Sequence, residues 1–316
     1  MMMSLGTKAK SGLVLLTGAT GFIGRSFLKC LTDNEPAFRI LALGKPGDLR
    51  KGLPQKATPN VEWDEVDLSD PDSIRQIPRN FSYVVHLAAY VPRLREDYDS
   101  PLNWRVNVEG MRNLMQVCFN NQNLKRFVLG SSISVYGEHD GTLKENDACL
   151  PNNAYALSKW VSELMVEKFC DGQGISYAIL RYASVYGEGQ NPNTVLPLFL
   201  EKAKRGEPIK LFDEGNRYQD FVHVRDVAQA NVLALQSRQS GVFNVGSGQA
   251  TSMKNLAVNI LKKHGGASGR IVCTLEKDRG KSQVMDISRA RRNLNYRPFF
   301  NLDRGLECYD SPAKVS

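Results

Sequence analysis

The chain has 316 residues, 42% of them hydrophobic, so it can bury the core of one large domain or two closely joined ones, and its apolar stretches are far too short to span a membrane. The formal charge of +8 comes from basic residues spread over many segments without an RNA- or DNA-binding signature, which argues against nucleic acid and favours a small anionic substrate. Six scattered cysteines, and a start from Met1 to Lys10 without the apolar core of a signal peptide, predict a reducing cytoplasm.

Short apolar strands alternate with amphipathic helical segments through the first 180 residues. Repeated strand–helix–strand units predict a parallel sheet covered by helices on both faces, the doubly wound (Rossmann) fold of the α/β class. The predicted strands are 12–17, 38–43, 61–66, 81–87, 125–130 and 175–180.

After Arg181 the pattern becomes irregular. A helix is predicted around 194–205, and the tail from Thr251 is predicted to be mostly helical. Further strands are predicted near 208–212, at 220–224 and at 242–246. We therefore predict a Rossmann domain over 1–180, to which 221–247 returns, and a smaller, interleaved substrate lobe over 181–316.

A glycine-rich turn follows the first predicted strand and opens a helix. Gly18, Gly21 and Gly24 are spaced three apart, and glycine at such positions lets the backbone approach a diphosphate whose charge meets the helix N-terminus. The turn therefore predicts a site for a dinucleotide. The other predicted members of this site are Thr20, Phe22 and Ile23.

The second strand ends at Gly44-Lys45 and not at an acidic residue. An Asp or Glu there would bond the adenosine ribose hydroxyls and repel a 2′-phosphate. Its absence slightly favours NADP over NAD, with Lys45 as the phosphate partner and Arg50 or Lys51 as additional candidates.

The third strand ends at Asp67-Leu68, which we predict to lie beside the adenine of the cofactor. Asp67 has an alternative role, because an aspartate before a helix can cap its first turn. Ser69 is an alternative for that cap.

Tyr155 and Lys159 stand four residues apart on a predicted helix, so the phenol and the ammonium project from one face. An ammonium about 5 Å from a phenol would lower the phenol pKa by about 2 units, to about 8, which suits a tyrosine that exchanges protons near neutral pH. Ser131 and Ser132 follow the fifth strand at the carboxyl edge of the sheet, where ligands of such folds bind. The pairing with Tyr155 indicates that one of these hydroxyls bonds the reacting oxygen.

The four histidines have no spacing typical of metal ligands, and no cysteine cluster stands beside them. His86 and His223 lie in strand-like runs and are predicted to be structural. We therefore predict no metal.

Taken together, these motifs resemble the extended short-chain dehydrogenase/reductase family, in particular its nucleotide-sugar epimerase/dehydratase group, typified by UDP-glucose 4-epimerase. The resemblance covers residues 12 to about 308. Further matching segments are His86-Leu-Ala-Ala89, Asn107-Val-Glu-Gly110, Val135-Tyr-Gly137, Leu180-Arg-Tyr182 with Val185-Tyr-Gly187, Phe221-Val-His-Val224 with Asp226-Val-Ala228, and Phe243-Asn-Val-Gly-Ser-Gly248.

This resemblance implies roles for individual residues. Tyr155 would be the acid/base, Lys159 would hold the nicotinamide ribose and lower the pKa of the tyrosine, and Ser132 would bond the sugar oxygen. Asn107 would support the cofactor site from close by. The cofactor pocket would also include Leu87, Ala88 and Ala89.

Several positions depart from the patterns of the group. The 4,6-dehydratases place an Asp-Glu pair directly after the catalytic hydroxyl, whereas this chain has Ile133 and Ser134, so dehydration lacks its acid and base. UDP-sugar epimerases usually have an Asn where Ser184 stands and an Arg where Gln219 stands. The lost phosphate contact could be supplied by Arg217 or Arg279, and the predicted substrate residues are thus Ser132, Ser134, Ser184, Arg217, Gln219 and Arg279.

The sequence thus predicts hydride transfer at a nucleotide-activated sugar, with 4-epimerisation as the first hypothesis. The alternative is an NADPH-dependent reductase of a 4-keto sugar nucleotide or a small carbonyl compound, and a third hypothesis is a dinucleotide-binding protein without catalysis. The cofactor would be tightly bound NAD in the epimerase and NADPH in the reductase. A homodimer is predicted through helices at about 104–119 and 153–169.

Overall fold

The computed structural model of the chain describes residues 11–48, 59–265, 270–278 and 280–309. Within these ranges no helix is both long enough and apolar enough to cross a lipid bilayer. The strands are β1 Gly12–Thr17, β2 Phe38–Gly44, β3 Val61–Glu65, β4 Tyr83–His86, β5 Arg126–Ser132, β6 Gly141–Leu143, β7 Ser176–Tyr182, β8 Ser184–Tyr186, β9 Ile209–Leu211, β10 Tyr218–Gln219, β11 Phe221–His223, β12 Gly241–Val245, β13 Thr251–Ser252, β14 Ile271–Cys273 and β15 Gln283–Met285.

The helices are α1 Phe22–Asn34, α2 Pro71–Ile74, α3 Leu102–Trp104, α4 Gly110–Phe119, α5 Ala154–Gln173, α6 Val195–Lys204, α7 Val224–Gln236, α8 Met253–His264, α9 Ser288–Asn293 and α10 Leu302–Glu307. A π-helical turn, Arg105–Glu109, joins α3 to α4. Among the described residues, 3₁₀ turns lie at Arg95–Asp99, Ile133–Tyr136 and Asp213–Gly215.

Seven parallel strands form the central sheet in the order β12-β7-β5-β4-β1-β2-β3. Its central strands are continuous apolar runs, as β1 illustrates with four consecutive buried residues, because helices cover both faces. All six strands predicted before Arg181 belong to this sheet, so the predicted doubly wound fold is confirmed.

Two hydrophobic clusters fill the two faces of the sheet. On one face α1 packs against α7, and the cluster there includes Phe27 and Ala230. On the other face the cluster includes Leu114 of α4 and Val166 of α5. Trp160, Met165 and Phe169 on α5 are half-buried and pack against these clusters.

The second half of the chain divides between the central sheet and smaller assemblies. Of the segment 221–247, which we predicted to return to the sheet, β12 forms an edge strand, whereas β11 pairs with β8 in a separate two-stranded ladder. A third hydrophobic cluster joins α6, α8 and β9. The tail is less helical than predicted, because β13, β14 and β15 add short strands to the two small sheets that also contain β10 and β9.

Candidate active site

The glycine-rich turn between β1 and α1 packs closely against the chain that follows β4. Gly18 has φ of +72°, and a Cβ there would lie 2.5 Å from the backbone nitrogen of Ala88. At the amino end of α1, Gly21 has no side chain to cap the first turn, and that turn contains no acidic residue. The amino end of the helix can therefore meet a negative group, and the turn fits the diphosphate of a dinucleotide.

A hydrogen-bonded link places the end of β4 beside this turn. Thr17 Oγ1 lies 2.8 Å from His86 Nδ1, and the backbone N–H of Ala88 donates to the same Thr17 oxygen at 3.3 Å. Burial, with a smaller contribution from the charge of Lys159, lowers the pKa of His86 to about 3, so this imidazole is neutral. The predicted structural role of His86 is confirmed, and Leu87 and Ala88 lie next to the glycine turn, with Ala89 following them in the chain.

Tyr155 lies in the first turn of α5, and Ser132 lies at the end of β5. Asn153 begins the helix by accepting a hydrogen bond from the N–H of Ala156 at 2.8 Å. The Tyr155 side chain is 8% exposed and is hydrogen-bonded to Ser132. Ser132 Oγ is also 2.8 Å from Ser134 Oγ, so the phenol and two hydroxyls converge on one point.

Burial decides the acidity of the Tyr155 phenol. Desolvation raises its pKa to about 12, and the hydrogen bond from Ser132 offsets only part of this effect. The ring of Tyr98 packs edge-on against the Tyr155 ring, with centroids 6.1 Å apart. The predicted pKa near 8 is therefore wrong for the protein alone, because spacing along a helix carries no information on the cost of desolvation.

Lys159 is buried one turn further along α5. Its ammonium donates to the carbonyl oxygen of Gly130 on β5 at 2.6 Å. Burial lowers the pKa of Lys159 to about 8, while the carboxylate of Glu163 acts in the opposite direction. Lys159 can therefore change its charge close to neutral pH.

An ionic network that the sequence reasoning missed supports this part of the site. Arg181 on β7 donates from Nη2 to Glu163 Oε2 at 2.8 Å and from Nε to both carboxylate oxygens at 3.1 Å. Glu163 also accepts a short hydrogen bond from Ser131. The side chains of Arg181 and Glu163 are 5% and 4% exposed. The network ties α5 to β5 and β7 directly behind Ser132.

Three predicted cofactor residues can now be placed. Asp67 Oδ1 accepts hydrogen bonds from the N–H and the hydroxyl of Ser69, at 2.9 and 2.7 Å. Asp70 caps α2, so the predicted capping roles of Asp67 and Ser69 are wrong. Leu68 is buried, and Lys45 is exposed at the end of β2.

Asn107 lies in the π-helical turn and is buried. Its Nδ2 donates to the Tyr90 carbonyl at 3.1 Å and to Ser158 Oγ at 2.9 Å, and its Oδ1 accepts from the Tyr90 N–H at 2.7 Å. Both amide hydrogens are thus used within the protein. This geometry fits the supporting role that the resemblance implied for Asn107.

The predicted substrate residues fall into separate groups. Ser134 joins Ser132 and Tyr155, as described above. Ser184 on β8 donates its backbone N–H to Asp220, the residue after Gln219, at 3.0 Å. The Nε of Arg217 donates to Asp278 at 2.6 Å, so a phosphate would compete with that carboxylate. Arg279 and the additional candidates Arg50 and Lys51 lie outside the described residues.

The low pKa of Lys159 predicts a pH-dependent stability. Since its pKa is about 8 in the folded chain and 10.5 in the unfolded one, the unfolded chain binds more protons between these values. The contribution of Lys159 to the free energy of unfolding should therefore rise with pH above about 8, and its full penalty, about 3 kcal/mol, should apply below that pH. Lys159→Met should remove this contribution.

Chemical denaturation at pH 7 to 10.5 measures the effect. The difference between Lys159→Met and the wild type should shrink as the pH rises above 8. Loss of the bond to the Gly130 carbonyl adds an offset of about 1 kcal/mol at every pH, so the slope is the informative quantity. Lys168→Met, at an exposed lysine on the same helix, should leave the wild-type slope unchanged, and a pH-independent difference for Lys159→Met would refute the argument.

Comparisons with known proteins agree with this geometry. The sequence model of the NAD dependent epimerase/dehydratase family matches residues 14–246. The "Putative UDP-glucose 4-epimerase" of Methanocaldococcus jannaschii is 31% identical over 303 residues, which cover 93% of this chain and 96% of that protein. The match to the family confirms the resemblance inferred from the motifs.

Solved structures extend the similarity to the fold. The UDP-N-acetylglucosamine 4-epimerase of Methanobrevibacter ruminantium, in complex with UDP-N-acetylmuramic acid, has a TM-score of 0.83 at 27% identity and covers 95% of this chain and 98% of its own. The UDP-glucose 4-epimerase of Thermus thermophilus, in complex with NAD, has a TM-score of 0.79 at 26% identity, with coverages of 94% and 97%.

These findings also settle the cofactor. The slight preference for NADP, which we drew from the missing acid at the end of β2, is overturned, because the family uses NAD and a neighbouring structure holds it. The glycine turn, the tyrosine–lysine pair and the match over most of the chain lead to the same assignment. The chain therefore belongs to the NAD dependent epimerase/dehydratase family of enzymes.

Proposed function

We propose that this chain is an NAD-dependent 4-epimerase of a UDP-activated sugar. The observation that carries the proposal is the convergence of Ser132, Ser134 and Tyr155 above the buried Lys159, at the carboxyl edge of a dinucleotide-binding sheet. Relatives that match nearly the whole chain and are named 4-epimerases support it.

The chain supplies the proton chemistry of the reaction. NAD, when bound, accepts a hydride from the sugar carbon and returns it. As a phenolate, Tyr155 takes the proton of the 4-hydroxyl while the hydride leaves, and the phenol that results gives this proton back after the keto-sugar has rotated in the site. Ser132 donates a hydrogen bond to the same sugar oxygen, and the positive charge of Lys159 favours the phenolate that accepts the proton.

Dehydration is disfavoured by the residues that follow Ser132. Ile133 is apolar and packs against a core cluster, so it has no group to remove or deliver a proton. The hydroxyl of Ser134 is engaged with Ser132, and an ordinary serine is a poor base at neutral pH. The site thus has one acid/base, which is sufficient for oxidation and return of hydride at a single carbon.

We further propose that residues 181–316, apart from α7 and β12, form the lobe that binds the nucleotide sugar, and that α7 and β12 complete a Rossmann domain formed mainly by 1–180. Ser184 and Gln219 lie in adjoining segments there, because β8 pairs with the strand that follows Gln219. Neither residue carries a charge that could bind the diphosphate of the substrate. Arg217 is therefore the candidate for this contact, provided that its ion pair with Asp278 opens. Arg279 is retained as a second candidate from the sequence alone.

A test of the function needs no added cofactor. The purified protein should contain NAD, and incubation with UDP-glucose, UDP-N-acetylglucosamine or UDP-glucuronate should yield the C4 epimer of at least one of them, resolved by chromatography and identified by NMR. Equilibrium should be reached from both epimers. If no epimer forms while NADPH is consumed with a 4-keto sugar nucleotide, the reductase hypothesis replaces this proposal.

We also propose that the enzyme is a homodimer formed through α4 and α5. Leu157 and Leu164 lie seven residues apart on α5 and are each 40% exposed, and Phe119 at the end of α4 is 64% exposed. Apolar side chains seven apart share one helix face, which fits packing against a second copy. Sedimentation should give twice the chain mass of 35.2 kDa, and a monomer at micromolar concentration would disprove the proposal.

A further inference from the structure

The end of β2 poses a question about cofactor choice. In doubly wound folds an acidic residue there binds the ribose hydroxyls of NAD, yet this chain has Gly44 and belongs to an NAD-dependent family. An acid at this position would displace the side chain of Thr20, because a Cβ on Gly44 would lie 2.7 Å from Cγ2 of Thr20. The selection of NAD therefore has to come from another residue.

A tight turn directly after β2 brings an acidic residue back to this point. The N–H of Asp48 donates to the carbonyl of Lys45 at 3.0 Å, and the φ of +85° at Gly47, after Pro46, matches a type II turn. The N–H of Gly47 donates to Glu65 Oε1 at 3.0 Å, which holds the turn against the end of β3. The turn thus brings Asp48 back beside Gly44.

The side chain of Asp48 occupies the space beside Gly44. Cβ of Asp48 lies 3.8 Å from the position that a Cβ on Gly44 would take. One carboxylate oxygen of Asp48 accepts a hydrogen bond from the hydroxyl of Thr20 at 2.8 Å. Because Thr20 belongs to the glycine turn, Asp48 lies between the turn that fits the diphosphate and the end of β2, where the adenosine ribose lies in such folds.

We infer that Asp48 is the residue that selects NAD, by accepting hydrogen bonds from the adenosine ribose hydroxyls in place of an acid at position 44. The inference rests on the NAD-dependent function proposed above. Two further acids, Glu65 and Asp67, lie at the end of the neighbouring strand. They add to the negative charge that a 2′-phosphate would meet, beside the positive charge of Lys45 on the turn.

Cofactor binding by Asp48→Asn tests the inference without any sugar. The protein is emptied of cofactor and titrated with NADH and with NADPH, and binding is followed by energy transfer from tryptophan to the reduced nicotinamide. The wild type should prefer NADH. In Asp48→Asn the Kd for NADH should rise about tenfold, as expected for loss of a charge-assisted hydrogen bond, and the Kd for NADPH should fall.

Control variants separate this effect from a general loss of structure. Asp33→Asn removes an equal charge from an exposed ion pair with Lys29 on α1 and should leave both Kd values unchanged. Thr20→Val keeps the branched shape but removes the donor to Asp48, and should raise the Kd for NADH several-fold without improving NADPH. It also serves as the deciding variant if Asp48→Asn does not fold, as judged by circular dichroism.

Three outcomes would overturn the inference. The first is an unchanged ratio of the Kd values for NADH and NADPH in folded Asp48→Asn, and the second is an unchanged Kd for NADH in Thr20→Val. The third is a wild type that prefers NADPH and loses that preference in Lys45→Ala, which would assign cofactor choice to the lysine. Because the titration reads cofactor binding alone, failure of the epimerase assay and failure of this inference can be told apart.

Discussion

Replacing Tyr155 by phenylalanine should reduce the turnover number about 10³-fold while the protein still folds and binds NAD. The substitution removes one oxygen, and with it the group that exchanges a proton with the substrate hydroxyl, a contribution typically of about 10²- to 10⁴-fold. The ring remains in its place against Tyr98. Steady-state turnover of the accepted UDP sugar, together with the NAD content of the purified variant, measures the effect.

Tyr98→Phe is the matched control, because it also removes one phenol oxygen from the same pair of rings. Turnover in this variant should change by less than about tenfold, since proton transfer is assigned to Tyr155 alone. A Tyr155→Phe enzyme with wild-type turnover would eliminate the tyrosine mechanism. If both variants lost turnover equally, proton transfer would have to be assigned to the two tyrosines together and not to Tyr155 alone.

Breaking the buried ion pair behind the site should cost more stability than any single change at the surface. In Arg181→Met the Glu163 carboxylate, 4% exposed, would lose its bidentate partner, and removal of one partner of such a pair typically costs about 3–5 kcal/mol. The guanidinium also lies 4.7 Å from the Tyr136 ring centre, a contact that the variant loses. Urea denaturation at pH 7 measures the free energy of unfolding.

The double variant Arg181→Met/Glu163→Leu distinguishes charge burial from simple loss of packing. Because it removes both charges, it should recover much of the stability that the single variant loses. Arg205→Met, which breaks an ion pair with Glu201 that is more than half exposed on both sides, should cost less than about 1 kcal/mol. A double variant as unstable as Arg181→Met would show that packing, and not the unpaired carboxylate, is responsible.

Those parts of the fold whose signals are local could be predicted from the sequence. The central strands are apolar runs buried on both faces, and the glycine turn and the Tyr155–Lys159 spacing each lie within one element. Glu163 continues the same spacing, four residues after Lys159, so a signal for it was present. The importance of Glu163 depends on its ion pair with Arg181, and this contact forms only because β7 pairs with β5.

The features that escaped prediction depend on contacts between distant segments. Asp48 meets Thr20 across 28 residues, and Tyr98 meets Tyr155 only because a 3₁₀ turn lies against α5. Strands of two or three residues, such as β13 and β15, have no periodicity to detect and exist through their partners. The acidity of Tyr155 depends on burial, which spacing along the chain does not encode.

The order of strands in the central sheet has a consequence for how the chain is made. Strand β12, which closes the edge of the sheet beside β7, is formed by residues that follow β7 by almost sixty positions, and α7, which packs against α1, precedes it. On the ribosome the first 180 residues therefore emerge with an unpaired strand edge and an uncovered apolar face, both of which invite aggregation. Cooperative folding has to wait for residue 245, so a fragment cut at the apparent end of the nucleotide-binding half would not be a self-sufficient unit.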